Sequence, residues 1–211
     1  MVSIKSTSKS NMMVFKWLSQ KYAVPEELAL VCDFVNTLDC RRYVEQGVAH
    51  MSGEEFEIPG QMEAWMRRRR LLPPGKRIDG HDYRRAPDLR DALRSLMRLS
   101  PEDQRQDSDA ARRLTTASRN FPLTLVVADK GSVTLQAAPG SSALGSVLAE
   151  VYGLANTDWL ARLKTCASEE CAGFSSIVPS LQIGIGARRT CAAIIRRREP
   201  IDASIANRLK P

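Results

Sequence analysis

The chain has 211 residues, enough for one ordinary domain with a small appendage, and 43% of them are hydrophobic, enough to bury a core. Its 31 Lys and Arg against 24 Asp and Glu leave a net charge of +7, which favours an anionic partner such as nucleic acid, with a basic but non-binding surface as the plain alternative. No run reaches the length of a membrane span and the N-terminus lacks a signal-peptide pattern, so the expectation is a cytoplasmic protein without a membrane partner, its five cysteines serving as thiols or metal ligands rather than disulfides.

Residues 1 to 12 are Ser- and Lys-rich and read as disordered. Met13 to Tyr22 has the pattern of a short amphipathic helix with Val14, Trp17 and Leu18 on one side. Pro25 followed by Glu26 and Glu27 marks a helix start, because proline at the first turn lacks only an N–H without an intrahelical partner, and the acids sit at the positive end of the dipole. Leu30, Phe34 and Leu38 then recur every four residues beside Val31 and Val35. Asp33, Asn36 and Thr37 fall together on another face. Such a trio can bind a small-molecule effector, or it can hydrogen-bond a neighbouring loop and fix the packing.

The stretch from Asp39 to Glu57 reads as a loop, and Pro59-Gly60 punctuates it. Gln61 to Leu72 is the next expected helix, with Met62, Trp65 and Met66. Four consecutive arginines, Arg67 to Arg70, span every face of a helix and so form no single binding stripe. Pro87 to Leu99 is the clearest amphipathic helix. Leu89, Leu93, Leu96 and Met97 make its apolar stripe, while Arg90, Asp91 and Arg94 are expected to face water. Residues 101 to 108 read as charged loop, and Ala110 to Phe121 as a short helix.

The period then changes from helical to two. Leu123 to Val127 and Val133 to Ala137 flank a turn containing Gly131, the signature of a β-hairpin. Pro139-Gly140-Ser141 stops the second strand and caps a helix with Leu144, Val147, Leu148 and Val151 at core spacing.

Beyond it lie Cys166, Cys171 and Cys191, three of the five cysteines within a short span, next to Arg188, Arg189, Arg196, Arg197 and Arg198. Clustered thiolates beside a basic segment are what a small structural zinc site requires, but a closed site takes four ligands, and no Cys or His follows Cys191. The fourth position falls to water, to an upstream side chain or to nothing. The alternative is a degenerate finger held by Ile177, Leu181, Ile183, Ile194 and Ile195.

The Cys166-x4-Cys171 pair, Phe174, and the Arg188-Arg189-Thr190-Cys191 block resemble the C-terminal signature of the CGNR zinc-finger family, whose N-terminal part is the ABATE domain. The fourth cysteine of that signature falls at Arg196, and its Gly-Asn-Arg at Arg197, Arg198 and Glu199, so the chain is a divergent member. Upstream, Leu28-Ala-Leu-Val-Cys-Asp-Phe-Val-Asn-Thr-Leu-Asp39 is similar to the family's Leu-Ala-Leu-Asp-Phe-Val-Asn-Thr-Leu-Asp segment, and Ile58 to Leu72 resembles its next helix. The resemblance implies a stress-related transcription regulator that contacts DNA through its finger.

Together these readings give an α+β chain: an N-terminal extension over 1–26, a mainly helical domain with one antiparallel hairpin over 27–158, and a degenerate zinc-finger-like module with the tail over 159–211. The expected function is DNA-binding regulation of transcription. Its domain senses a ligand or partner, DNA is contacted by Arg188, Arg189, Arg196, Arg197 and Arg198, and zinc is held by Cys166, Cys171 and Cys191. A homodimer is the form that regulators of DNA often take, and the sequence leaves the oligomeric state open. The rival is a small-molecule-binding or protein-interaction module that has lost DNA binding with its finger. No enzyme is expected, since the chain has no Gly-rich phosphate loop, no His-Glu-x-x-His helix and no Gly-x-Ser-x-Gly turn.

Overall fold

The computed structural model describes residues 17–21, 24–40, 43–45, 48–128, 131–157, 159–165 and 173–176. The expected zinc ligands Cys166, Cys171 and Cys191 and the basic cluster from Arg188 to Arg198 lie outside the described residues. What is described is mainly helical, with small antiparallel strand pairs: seven α-helices, one 3-10 turn and four two-stranded sheets.

A one-turn helix α1 (Leu18–Lys21) leads into α2 (Glu26–Val35), which starts at Pro25 with Glu26 and Glu27 in its first turn, as the sequence predicts. The predicted stripe carries on to Leu38, but α2 stops at Val35 and Leu38 begins β1 (Leu38–Asp39). The side chains at the boundary explain the stop. Asn36 Nδ2 bonds back to the Cys32 carbonyl at 2.8 Å and Thr37 Oγ1 to the Phe34 carbonyl at 2.8 Å, local bonds that compete with helix continuation.

The expected loop after Asp39 is instead an interrupted hairpin. β1 pairs with β4 (Gly53–Glu54), and within that pair β2 (Tyr43–Glu45) meets β3 (Val48–His50) in register from Tyr43↔His50 to Glu45↔Val48. Arms of two and three residues are too short to display a period-two pattern, so the sequence carries no strand signal there.

α3 (Pro59–Arg68) begins at Pro59, with the Ile58 N–H donating to Gln61 Oε1 at 3.2 Å, and it ends before the arginine run does. Arg70 takes φ 60. The Leu71 N–H donates to the Met66 carbonyl at 2.9 Å and the Arg70 N–H to the Arg67 carbonyl at 3.0 Å, the two bonds of a Schellman stop. Arg69 and Arg70 therefore lie past the helix, and the run does not ring one helix as the sequence suggests.

α4 (Gly80–Arg98) starts two turns earlier than Pro87. Asp79 caps it by accepting the His81 N–H at 3.0 Å, and the Tyr83 hydroxyl ties the first turn to the Phe56 and Glu57 carbonyls at 3.0 and 2.8 Å. Those bonds hold a helix through an interior proline that removes one backbone bond. The charged stretch after it is a helix rather than a loop: α5 (Pro101–Gln106) is capped by Ser100, whose Oγ accepts the Asp103 N–H at 3.1 Å. α6 (Ser108–Ser118) is capped by Asp107.

The predicted hairpin forms with its expected strands, β5 (Leu123–Val127) and β6 (Val133–Ala137), in register from Leu123↔Ala137 to Val127↔Val133, and Gly131 supplies the positive φ of 76 at the turn. α7 (Gly145–Ala155) follows. It approaches the hairpin so closely that a Cβ on Gly145 would lie 2.9 Å from Ala137 Cβ. A 3-10 turn (Leu160–Arg162) leads to β7 (Leu163–Thr165), which pairs with β8 (Phe174–Ser176).

The core centres on Trp65, whose ring lies 5.6 to 6.1 Å from those of Phe56, Phe34 and Trp17. Leu28, Val31, Leu89, Leu93, Val147 and Leu163 are buried around it. No helix among the described residues is long and apolar enough to cross a membrane.

Candidate functional site

On α4 the positions 86, 90, 93 and 97 fall on one stripe, and Arg90 occupies it together with Ala86, Leu93 and Met97. Arg94 lies one turn along. Both arginines, expected in water, are buried, with 2% and 4% of their surface exposed. Their partners give the reason. Arg90 donates from Nη1 and Nη2 to the two oxygens of Glu54 at 2.7 and 2.6 Å and from Nη1 to Thr37 Oγ1 at 3.1 Å, while its Nε sits 3.5 Å from Asp91 Oδ1. Arg94 donates to the Val35 carbonyl at 2.5 Å and the Leu38 carbonyl at 3.2 Å, with Cys40 Sγ 3.6 Å from Nη2.

These bonds fasten α4 to the end of α2 and to both strands of the β1–β4 pair. α2 has no basic residue in its last turn, so Arg94 supplies, from another helix, the cation and the donors that a helix C-terminus favours. Along the β1–β4 pair a shallow cavity of about 500 Å³ is lined by Leu38, Asp39, Cys40, Ser52, Gly53 and Glu54. Partial burial pulls the Glu54 carboxyl upward, but the Arg90 bond, the Phe56 N–H and the charges of Arg90 and Arg94 together hold it below the usual carboxylate range. The neighbouring Glu55 goes the other way: burial raises it, the charges of Glu54 and Asp39 add to that, and Arg68 opposes it. Of these adjacent carboxyls only Glu54, held toward its ionised form, lines the cavity.

A second polar cluster joins α1, α2 and the end of α3. Asp33 accepts from the Ser19 N–H at 2.8 Å and the Ser19 hydroxyl at 2.6 Å and pairs with the Arg69 guanidinium, which also stacks 4.0 Å over the Trp17 ring. The three predicted effector ligands thus turn to different places: Asp33 to Ser19 and Arg69, Asn36 to its own helix, and Thr37 to Phe34 and Arg90. Within the arginine run, Arg67 is held by Glu63 and the Pro73 and Lys76 carbonyls.

Sequence reasoning missed Arg90, Arg94 and Glu54. The signal for the first two was present: Arg90 is four residues after Ala86 and three before Leu93, so a helical wheel begun at residue 80 places it on the apolar stripe. For Glu54 no local pattern pointed inward. Among the described residues, no group of three or more His, Cys, Asp or Glu side chains is placed to hold a metal ion.

The ABATE family model, described as "Putative stress-induced transcription regulator", matches residues 28–165, a span that takes in α2 from Leu28 onward, the interrupted hairpin, the arginine clamp and the β5–β6 hairpin. No curated protein matches the chain.

Proposed function

This chain belongs to the ABATE family, and from that membership we propose that it regulates transcription by binding DNA. The contacts are made by the basic C-terminal segment with Arg188, Arg189, Arg196, Arg197 and Arg198, and zinc is held there by Cys166, Cys171 and Cys191. The matched domain senses a small effector or a protein partner. The observation that carries this reading is the family match over more than half of the chain.

Two features of the fold support the division of labour. Arg67 and Arg69 are engaged by Glu63 and Asp33, so half of the four-arginine run is already committed inside the domain, and the basic surplus that would meet phosphates is sought elsewhere. The cavity is lined by the β1–β4 pair with Cys40 and Ser52, and two of its residues, Leu38 and Glu54, are the ones that Arg94 and Arg90 bond. An effector bound there would meet the strand pair that Arg90 and Arg94 fasten to α4.

The test titrates labelled duplex DNA with the full chain at two salt concentrations. Five phosphate contacts predict a steep loss of affinity with salt, and replacing Arg196, Arg197 and Arg198 by alanine lowers the salt slope by up to about three. Arg68→Ala with Arg70→Ala leaves affinity nearly intact. Arg67 and Arg69 are left in place because their loss would disturb the fold. Absence of binding at any salt would favour the rival module, and a dominant effect of Arg68 and Arg70 would move the DNA surface onto the ABATE domain. Metal analysis of the purified chain with a thiol count decides the zinc assignment: three protected thiols with one zinc support it, and freely titrating thiols without zinc end it.

A further inference from the structure

α1 is a single turn, far below the length at which a helix holds itself together, so its place depends on what it and its neighbour Trp17 touch. Those contacts are polar and aromatic. Both oxygens of the Asp33 carboxylate are answered by Ser19, Oδ1 by the backbone N–H at 2.8 Å and Oδ2 by the hydroxyl at 2.6 Å. The Trp17 ring takes the Arg69 guanidinium 4.0 Å from its centre and stands T-shaped to Trp65 at 6.1 Å. The chain then turns back, the Val24 N–H donating to the Ser19 carbonyl at 2.8 Å.

The receiving groups and the incoming ones come from different parts of the chain. Asp33, Trp65 and Arg69 lie inside the family match, which begins at Leu28, whereas Trp17 and Ser19 precede it. Without α1 the three receiving groups offer a carboxylate for adjacent N–H and O–H donors, a guanidinium plane for an aromatic ring, and an indole for the same ring to pack on. Residues 17–21 do not use all that is offered. Arg69 Nε is buried and has no hydrogen-bond partner among the described residues, so an occupant that brought a carbonyl oxygen there would bind more tightly.

We propose that Asp33, Trp65 and Arg69 form a peptide-binding site, and that residues 17–21 fill it as a tethered ligand, displaced by a partner segment carrying a Trp two residues ahead of a Ser. Displacement bares Asp33 and Trp65, which are 4% and 1% exposed while the segment is seated. It needs no DNA and is measured without it.

The tether sets the scale of the affinities. A minor state is commonly populated at about 1%, and a short tether holds its ligand at an effective concentration of about 1 mM. Together these give the free segment a dissociation constant of about 10 µM, and the seated segment weakens a competitor about 100-fold.

The experiment titrates a dye-labelled peptide of residues 17–24 into the full chain and into its Trp17→Ala, Ser19→Pro variant, which lacks the ring and both donors in the tethered copy. Fluorescence anisotropy should show binding near about 10 µM to the variant and about 100-fold weaker binding to the wild type. A peptide carrying Trp17→Ala should bind neither. Hydrogen exchange of the unmodified chain reads the same opening without a substitution: the Ser19 amide, bonded to Asp33, should have a protection factor at least about tenfold below that of the Phe34 amide within α2. Absence of binding to the variant overturns the proposal, as does equal binding to both chains or a Ser19 amide as protected as that of Phe34. A variant that fails to fold also overturns it, because the segment would then be a part of the core that the domain cannot release. Protection of Ser19 that rises with chain concentration makes a second copy the occupant and overturns the tether.

Discussion

Arg90 is the residue on which the domain's polar interior turns: its two Nη groups are met by Glu54 and Thr37, while its buried Nε makes no hydrogen bond and has only the Asp91 carboxylate at 3.5 Å. Removing it leaves Glu54 without a bidentate partner and Thr37 without its donor, so Arg90→Ala should cost about 3 to 5 kcal/mol in urea unfolding. Glu54, partly open to solvent, is more forgiving, and Glu54→Gln should cost about 1 to 2 kcal/mol. Its folded-state carboxyl lies below the ordinary 4.5. The stability it lends is therefore complete above pH 4.5 and lost as pH falls through the depressed value, and the Gln variant should show a flatter acid limb. Cys32 does the reverse. Burial pushes its thiol from 9.0 up to about 11 against the pull of Asn36 and Arg69. Between pH 9 and 11 the unfolded thiol ionises while the folded one stays neutral, so about 2 to 3 kcal/mol is lost over that window. Unfolding midpoints at pH 8 and 10.5 should fall more steeply for the wild type than for Cys32→Ala. Of this chemistry the sequence showed only the apolar neighbours. The inward turn of two arginines depends on carbonyls and a carboxylate contributed by segments more than thirty residues away.

At the scale of elements, long periodic segments were legible and short or capped ones were not. The β5–β6 hairpin and α7 stand where period and turn residues put them, since five-residue arms and a glycine turn are strong local signals. α5 was missed because it has no apolar stripe to read, and its cap and Pro101 are what hold it. The β1–β4 pair was missed because two-residue strands owe their existence to Arg90 and Arg94, not to their own sequence. Two substitutions test how elements end and meet. Arg70 holds the left-handed position that usually belongs to glycine, so Arg70→Gly should raise stability by about 1 kcal/mol, read as a higher urea midpoint. At Gly145 an added methyl would meet Ala137 and its backbone rather than the end of a flexible chain. Gly145→Ala should therefore push α7 off the hairpin and cost about 1 to 3 kcal/mol.

Over the whole molecule the question is where the domain ends. The expected boundary lies at residue 158, with the cysteine module and tail after it over 159–211. Leu163 is fully packed in the core with Trp159 and Leu160 against its edge, and the family match runs to residue 165. The burial of Leu163 had no sign in the sequence, because a single leucine between Arg162 and Lys164 carries no period. If the core includes this segment, its removal opens a cavity and exposes α4. A chain cut after residue 158 should then lose at least the 2 to 5 kcal/mol of one buried leucine and unfold with a lowered, broadened transition. A chain cut after Ser176, which keeps both strands of the β7–β8 pair, should unfold in one cooperative step at a urea midpoint close to that of the full chain. Equal midpoints for the two truncations would place the domain boundary at residue 158 and make the segment from Trp159 to Ser176 part of the C-terminal module.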